Sequence, residues 1–312
     1  MNKLYLSPSP HFKNGVTTRN IMLDVIIALM PCVVVSVILF GFKALVLYAT
    51  SCAGCVLCEY ISRKIMKRES TVGDLSAVVT GILLAMNVPV TLNPLIILFG
   101  SVVAIVVVKQ MFGGIGQNFV NPALIARIVL LTSFPSKMTN WTAPFAYLSG
   151  SADAVSSATP LADNSNISYL KLILGAHGGC LGETCAVAII LGGIYLMLKK
   201  VISPVIPCVY LGTFAIFTLL SGNDVIYGLL SGGILLGAFF MATDYTTSPI
   251  NFKGKIVFAL GCGILTFVIR TFGALPEGVS FAIIIMNILV PHIETLTLTK
   301  PFGSKRRTAK NG

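Results

Sequence analysis

One threonine in a polar loop is suited to covalent chemistry. It ends the run Asp153-Ala154-Val155-Ser156-Ser157-Ala158-Thr159 and is followed by Pro160. Proline lacks a backbone N–H and biases the residue before it toward extended backbone, so we do not expect Thr159 inside a helix. Its hydroxyl is therefore expected to be presented by the loop, where it can accept a covalent group.

Two polar runs interrupt the apolar sequence and offer candidate ligand contacts. Residues 112–122 read Phe-Gly-Gly-Ile-Gly-Gln-Asn-Phe-Val-Asn-Pro, and residues 243–249 read Thr-Asp-Tyr-Thr-Thr-Ser-Pro. The amides of Asn118 and Asn121 can hydrogen-bond the edge of a heteroaromatic ring, and Asp244 can bind a ligand or a cation. The alternatives are that the asparagines cap helices and that Asp244 is solvated at a membrane interface.

A third run, Gly178-Gly179-Cys180-Leu181-Gly182-Glu183-Thr184, leads out of the polar loop. Its glycines permit a bulky ligand to approach the backbone closely, and Glu183 offers a polar contact beside Gly182. The alternative interpretation is a helix start with an acidic first turn.

Metal chemistry is not favoured. Cys52, Cys55 and Cys58 have the spacing of an iron–sulfur run, but they fall within an apolar segment and no nearby fourth cysteine is followed by proline. Close packing of small residues between membrane helices is the favoured interpretation. The three histidines are far apart and make no ligand spacing: His11, His177 and His292.

The composition is that of a polytopic, all-α membrane protein. Of 312 residues 55% are hydrophobic and only 11% are charged. Because each crossing needs roughly 20 apolar residues, we predict about ten transmembrane helices. They are placed at 21–42, 44–62, 75–93, 94–111, 120–135, 183–199, 201–221, 225–243, 254–272 and 279–298.

The basic residues predict the orientation in the membrane. The net charge is +11, but most Lys and Arg residues fall on alternate loops and not on one soluble face, so we expect no nucleic-acid partner. By the positive-inside rule both termini are cytoplasmic and the loop 136–182, which holds Thr159, is extracytoplasmic.

These elements divide the chain into two five-helix halves. The halves are 1–135 and 183–298, separated by the loop 136–182 and followed by a basic tail, 299–312. An odd number of helices per half requires the halves to have opposite orientations if they share a fold, so we predict inverted repeats. The alternative is that the two halves are similar by chance, because their spans are all rich in Gly, Leu and Ile. Inverted repeats place ligand sites at interrupted helices. The predicted topology puts both runs, 112–122 and 243–249, on the cytoplasmic side, where they can converge.

Taken together and in this order, these motifs resemble the family of Rnf-complex D subunits. The longer B subunits of sodium-translocating NADH:quinone reductases are relatives of that family. The segment from Asp153 to Thr159 resembles the recognition sequence of flavin transferases, and the resemblance as a whole covers nearly the entire chain. One departure is Ser157, where the motif usually has glycine.

The resemblance implies an electron-transfer subunit of an ion-translocating ferredoxin:NAD⁺ oxidoreductase in the bacterial cell (inner) membrane. The ion is expected to be Na⁺, with H⁺ as the alternative. A flavin transferase would join FMN to Thr159, and the ferredoxin and NAD sites would belong to other subunits, so this chain has no complete active site alone. An inverted-repeat transporter or channel for a small solute is the main alternative, and a structural scaffold is a further one.

The resemblance also implies which residues serve the flavins. Asp153, Ser156 and Ala158 belong to the motif around Thr159, and Gly182 and Glu183 are further expected cofactor contacts. A noncovalent riboflavin is expected beside a second group of residues, namely Asn118, Asn121, Pro122 and Asp244.

Overall fold

The computed structural model describes Gly15 and residues 17–148, 168–273 and 278–298, and their regular secondary structure is helical. The segment from Asp153 to Thr159 and the basic tail, 299–312, lie outside the described residues. The helices are α1 (Thr18–Phe40), α2 (Phe42–Ile65), α3 (Ser76–Met86), α4 (Pro94–Val102), α5 (Pro122–Ser133), α6 (Pro135–Met138), α7 (Tyr169–Leu174), α8 (Ala186–Leu198), α9 (Val205–Leu220), α10 (Val225–Leu230), α11 (Ile234–Leu236), α12 (Phe252–Phe272) and α13 (Val279–Thr297). Two π-helical stretches, Val103–Gln110 and Gly237–Met241, continue α4 and α11.

Four helices of the described residues are long and apolar enough to cross a membrane: α1, α2, α12 and α13. Shorter apolar helices account for most of the other predicted crossings, among them α3, α5, α8 and α9. The protein is therefore a multi-pass membrane protein, and the part of the chain that the structure describes is helical. The prediction of ten continuous spans is met only in part.

Local backbone chemistry explains the shortened helices. Within the predicted crossing 75–93 the helix α3 ends at Met86, and Pro89 follows three residues later. α4 then restarts at Pro94, where the Asn93 side chain accepts a hydrogen bond from Leu95 N at 2.9 Å. The predicted crossing 225–243 is split at 231–233 because Gly232 adopts a positive φ of 67°, a conformation that interrupts a helix.

The outer surface carries apolar side chains, as a lipid-facing surface must. On α1 the exposed residues Leu23, Ile27, Val34 and Ile38 recur at helical spacing and form one stripe. The opposite side of α1 packs on α8. There, a Cβ on Gly192 would lie only 2.2 Å from the Ala28 carbonyl oxygen, so the missing side chain lets the two backbones approach.

Helix packing brings the two halves together. α2 packs against α3 and α4, and α9 packs against α12, which in turn packs against α13. Between the halves, α1 packs against α8 and α5 packs against α13. The segments that follow the two π-helical stretches therefore lie close together.

Candidate functional site

The two polar interruptions meet, as the sequence predicts. Asn118 Nδ2 donates to Thr246 Oγ1 at 3.0 Å and to the Val120 carbonyl at 3.2 Å. Asn121 Nδ2 donates to the Met241 carbonyl at 3.4 Å. The segment before α5 is thus joined to the segment after α11 by side-chain amides.

A cavity of about 350 Å³ lies between these segments. Its walls are mostly apolar and come from both halves of the chain. It is lined by Thr18, Ile21, Met22, Val25, Ser76, Val79, Thr80, Leu83, Lys109, Ile115, Gly116, Asn118, Asn121, Pro122, Ala123, Leu196, Val201, Ile202, Phe239, Phe240, Thr243, Asp244, Tyr245 and Thr246. All four residues that the resemblance assigned to a riboflavin site are in this lining.

Asn121 has two roles. Its Oδ1 accepts hydrogen bonds from Ala123 N at 3.1 Å and from Leu124 N at 3.4 Å, which caps α5. Pro122 then occupies the first helical position, where its missing N–H leaves no bond unmade. The helix-cap alternative is therefore correct for Asn121, and the same cap fixes the residue in the cavity wall.

Asp244 faces the cavity and is held by neighbouring donors. Its carboxylate accepts from Thr246 Oγ1 at 3.3 Å and from Thr247 Oγ1 at 3.5 Å. Removal from water raises the pKa of Asp244, and the hydroxyl and amide donors oppose that rise. Asp244 is partly exposed and lines the cavity, so its ligand role stays a prediction beside the alternative of a carboxylate solvated at the interface.

A buried charge network adjoins the cavity and was not singled out from the sequence. Lys109 Nζ lies 2.9 Å from Glu59 Oε2 and 2.6 Å from Ser76 Oγ. The other Glu59 oxygen accepts from Thr71 Oγ1 at 2.6 Å and from Gln110 Nε2 at 3.1 Å. An isolated acidic residue in an apolar span is a functional signal in membranes, and Glu59 gives that signal in the sequence.

The cavity has the size and the polar groups of a small-molecule site. Its volume lies at the low end of the range for small-molecule sites, which combine apolar walls with a few fixed polar groups. Lys109 carries a donor, whereas Asp244 and Asn118 Oδ1 carry acceptors, because Val120 and Thr246 already take both hydrogens of the Asn118 amide. An isoalloxazine ring has both donor and acceptor atoms along its pyrimidine edge, so these residues fit a flavin.

Gly182 and Glu183 lie in a second buried cluster and do not line this cavity. Glu183 Oε1 is 3.0 Å from Arg127 NH1, with both side chains almost wholly buried. Arg127 also donates to Asn87 Oδ1 at 2.8 Å, and Gly182 N donates to the Met86 carbonyl at 2.8 Å. α8 begins at Ala186, shortly after this cluster. A cofactor role for Gly182 and Glu183 stays a prediction, beside the packing role that these contacts give them.

The covalent-attachment prediction falls outside the described residues. Asp153, Ser156, Ala158 and Thr159 all lie between the described ranges, which end at residue 148 and resume at residue 168. Attachment of a flavin at Thr159 therefore stays a prediction from the sequence motif.

The comparisons with known proteins agree on one family. The model of the NQR2, RnfD, RnfE family matches residues 5–303. The D subunit of the Na(+)-translocating ferredoxin:NAD(+) oxidoreductase complex of Acetobacterium woodii is 48% identical over 97% of both chains. The D subunit of the proton-translocating ferredoxin:NAD(+) oxidoreductase complex of Clostridium ljungdahlii is 39% identical over 98% of both chains. The D subunit of the ion-translocating oxidoreductase complex of Stutzerimonas stutzeri is 37% identical over 92% of both chains.

Proposed function

The chain belongs to the NQR2, RnfD, RnfE family, and from that membership we propose that it is the D-type subunit of an ion-translocating ferredoxin:NAD⁺ oxidoreductase. In this proposal the chain relays electrons between other subunits of the complex across the cell membrane. The observation that carries the proposal is the cavity whose wall is closed by the Asn118–Thr246 hydrogen bond. A purely structural scaffold needs no such ligand-sized cavity with convergent polar groups.

Two flavins would serve this relay. A flavin transferase that recognises Asp153, Ser156 and Ala158 would transfer the FMN part of a flavin adenine dinucleotide to the Thr159 hydroxyl. The pyrophosphate bond breaks, AMP leaves, the hydroxyl proton is lost and the threonine–phosphate ester forms. A riboflavin would be held without a covalent bond in the cavity. When bound, such flavins supply one- and two-electron transfer, while the protein sets their position and electrostatic surroundings.

The residues of the cavity would hold the ring in one orientation. Asn118 is fixed by Thr246 and Val120, and Asp244 is fixed by the hydroxyls of Thr246 and Thr247. The ring edge would therefore meet groups already oriented before binding, which lowers the entropic cost of association. Lys109 also lines the wall, but Glu59 neutralises its charge, so we propose that it contributes a hydrogen-bond donor and no net charge.

Flavin fluorescence of the denatured chain in a gel tests the covalent link. The chain is co-expressed with a flavin transferase, and the native sequence is compared with Thr159→Ala. We expect the substitution to abolish fluorescence, because it removes the hydroxyl that accepts the flavin phosphate. Thr139→Ala, in the same loop region, is the control and should keep it. An unlabelled native chain, in cells where a known acceptor is labelled, would refute the covalent link and favour the transporter alternative.

Riboflavin binding to the purified full-length chain tests the noncovalent site. Asn118→Ala removes the amide that joins the two segments, so we expect affinity to fall by about tenfold, as for loss of one well-oriented hydrogen bond. Asn223→Ala, which changes an exposed asparagine between α9 and α10, is the matched control. Equal affinity of both variants would remove Asn118 from the site.

The ion is proposed to be Na⁺. The 48% identical relative is named as sodium-translocating, whereas the 39% identical relative is named as proton-translocating. Uptake of ²²Na⁺ into inverted membrane vesicles during ferredoxin-dependent NAD⁺ reduction tests this choice. Uptake that persists with a protonophore supports Na⁺ as the primary ion, and uptake abolished by a protonophore favours H⁺.

The inverted-repeat arrangement is also part of the proposal. In it α1 corresponds to α8 and α5 to α13, and the packing of α1 on α8 and of α5 on α13 supports a two-fold relation between the halves. The two segments that meet at the cavity would then be non-equivalent parts of the repeats, since 112–122 follows the fourth predicted crossing of its half and 243–249 follows the third of its own half. Interrupted helices at the meeting point of two repeats are where such proteins place ligand sites.

A further inference from the structure

A second cavity of about 440 Å³ lies directly beside the first. The two share four wall residues, so they are neighbouring compartments of one region. The second is lined by Met197, Lys200, Val201, Ile202, Ser203, Pro204, Ile206, Thr243, Tyr245, Ser248 and Lys255.

Two cations border this second cavity without a carboxylate partner among the described residues. They are Lys200, after the end of α8, and Lys255, in the first turn of α12. Two nearby lysines, in contrast, have carboxylate partners. Lys109 is paired with Glu59, and Lys199 lies 4.0 Å from Asp24. The second cavity therefore has a positive charge that no described side chain neutralises.

Backbone and hydroxyl groups add further donors. α9 begins beside the cavity at Val205, and its N-cap residue, Pro204, offers no side-chain hydrogen bond to the first turn. The partial positive charge of this helix terminus adds to that of the lysines. Ser203 and Ser248 contribute hydroxyl groups to the same lining.

The carboxylate of the first cavity does not cancel these charges. Asp244 lines the first cavity and accepts from Thr246 and Thr247. The second cavity is lined by the residues on either side of Asp244, namely Thr243 and Tyr245, but not by Asp244 itself.

We propose that the second cavity binds the phosphate of an organic phosphate ester. Donors arrive from two lysines, two hydroxyls and a helix terminus, and an anion with several oxygens can accept from all of them. The apolar part of the lining, which includes Met197, Ile202 and Ile206, fits an esterified organic group better than free inorganic phosphate.

The phosphate ester has two chemical sources. One is an anionic phospholipid headgroup, because basic pockets between membrane helices bind such headgroups. The other is the phosphate of FMN whose ring occupies the first cavity, in place of riboflavin. The anion site itself does not depend on the proposed function, whereas the flavin source rests on it.

Binding to two pairs of probes tests the site on the purified full-length chain, produced without a flavin transferase. Each pair differs by the phosphate group: FMN against riboflavin, and dioleoylphosphatidylglycerol against dioleoylglycerol. Flavin binding is followed by fluorescence quenching, and lipid binding by the shift in thermal unfolding temperature. We expect the phosphate-bearing member of at least one pair to bind more tightly, by about tenfold to thirtyfold.

A matched pair of double variants assigns that preference to the cavity. Lys200→Gln with Lys255→Gln should abolish it. The control is Lys67→Gln with Lys253→Gln, which removes the same charge. Lys67 has a positive φ of 53° and so matches Lys200 with 56°, and Lys253 lies in the same first turn as Lys255. The control should keep the preference.

The outcomes separate the two sources. A preference for FMN that depends on Lys200 and Lys255 assigns the site to the flavin phosphate, and a preference for the phospholipid assigns it to the headgroup. No preference in either pair, or an equal loss in the control, overturns the anion site. Riboflavin binding that persists in that case leaves the proposed function intact, so the two failures are distinguishable.

Discussion

At the scale of single residues, two asparagines three positions apart have different structural roles. Asn118 joins two distant segments, because its amide donates to Thr246 across the cavity wall. Asn121 caps α5 through its oxygen, while its nitrogen reaches the Met241 carbonyl. From the sequence both roles were open for each residue, since a helix cap and a ligand contact use the same amide. Only the path of the chain around them separates the roles.

The cap at Asn121 predicts a graded effect on stability. Asn121→Ala removes the capping oxygen and should lower the free energy of unfolding by about 1 kcal/mol. Asn121→Ser keeps a capping oxygen and should recover most of that loss. The measurement is unfolding of the purified chain in mixed micelles of increasing dodecyl sulfate content. Equal losses in the two variants would show that the bond to Met241 matters and the cap does not.

Asp244 predicts a dependence of stability on pH. Burial raises its pKa in the folded chain above the ordinary value of 3.8. The folded state therefore keeps this proton at pH values where the unfolded chain has lost it, and stability falls as pH rises from 3.8 through the raised pKa. Asp244→Asn should remove this fall, so the variant should gain stability relative to the native chain over that window. Thermal unfolding of both chains between about pH 4 and about pH 7 measures the difference.

Asp224 is the control for this experiment because its shift has the opposite sign. A hydrogen bond from the Tyr169 hydroxyl lowers the pKa of Asp224, which also caps α10. Its stabilising contribution is present above the ordinary carboxyl pKa and is lost as pH falls. Asp224→Asn should therefore lose stability relative to the native chain at neutral pH. The same sign for both variants would rule out the burial argument for Asp244.

At the scale of elements, hydropathy predicted where most helices lie but not where they break. The Pro89 and Gly232 signals were present, yet a window of about 20 residues averages over them. The crossings assigned to 75–93 and 225–243 are therefore interrupted. The pairing of Arg127 with Glu183 had no local signal, since the partners lie 56 positions apart in sequence. It depends on how α5 and the segment before α8 meet in space.

Gly233, at the break before α11, predicts a test of that ion pair. A Cβ at this position would lie 2.5 Å from Glu183 Oε1, so Gly233→Ala should displace the carboxylate from Arg127. Disturbing a buried ion pair leaves charge uncompensated, and we expect a loss of about 3 kcal/mol in the free energy of unfolding. Unfolding in dodecyl sulfate micelles provides the measurement.

Gly212 provides the matched control for this substitution. It lies on α9, and a Cβ there would meet nothing within 4 Å. Gly212→Ala should be neutral or slightly stabilising, because alanine favours helix over glycine. If the two variants proved equally stable, Glu183 would be free to move. The ion pair would then not hold together α5, the segment before α8 and the break before α11.

At the scale of the whole molecule, the family, the helical membrane class and the convergence of 112–122 with 243–249 were all predictable. The family and the membrane class follow from motif order and composition, and the convergence follows from the predicted topology. None of the three needs knowledge of packing. The Glu59–Lys109 network and the second cavity were not predicted. Their members come from different helices, and only the folded chain places Lys200 and Lys255 at one cleft.

The inverted repeat makes a prediction about sides of the membrane. α2 and α9 are the second helices of their halves, so inversion places their ends on opposite sides. Lys67 follows the end of α2, and Asn223 follows the end of α9. We expect Lys67→Cys to be cytoplasmic and Asn223→Cys extracytoplasmic. An impermeant maleimide should label Asn223→Cys in intact cells, and Lys67→Cys only after the membrane is opened.

The labelling experiment needs two controls, and its outcome decides the architecture. Cys208 is exposed, so both variants are made with Cys208→Ser to remove that thiol. Lys137→Cys marks the loop that holds Thr159 and should label in intact cells together with Asn223→Cys. If Lys67→Cys and Asn223→Cys label on the same side, the halves are not inverted. Their shared cavity would then join two unrelated helical units, and the two-fold relation of α1 with α8 would be lost.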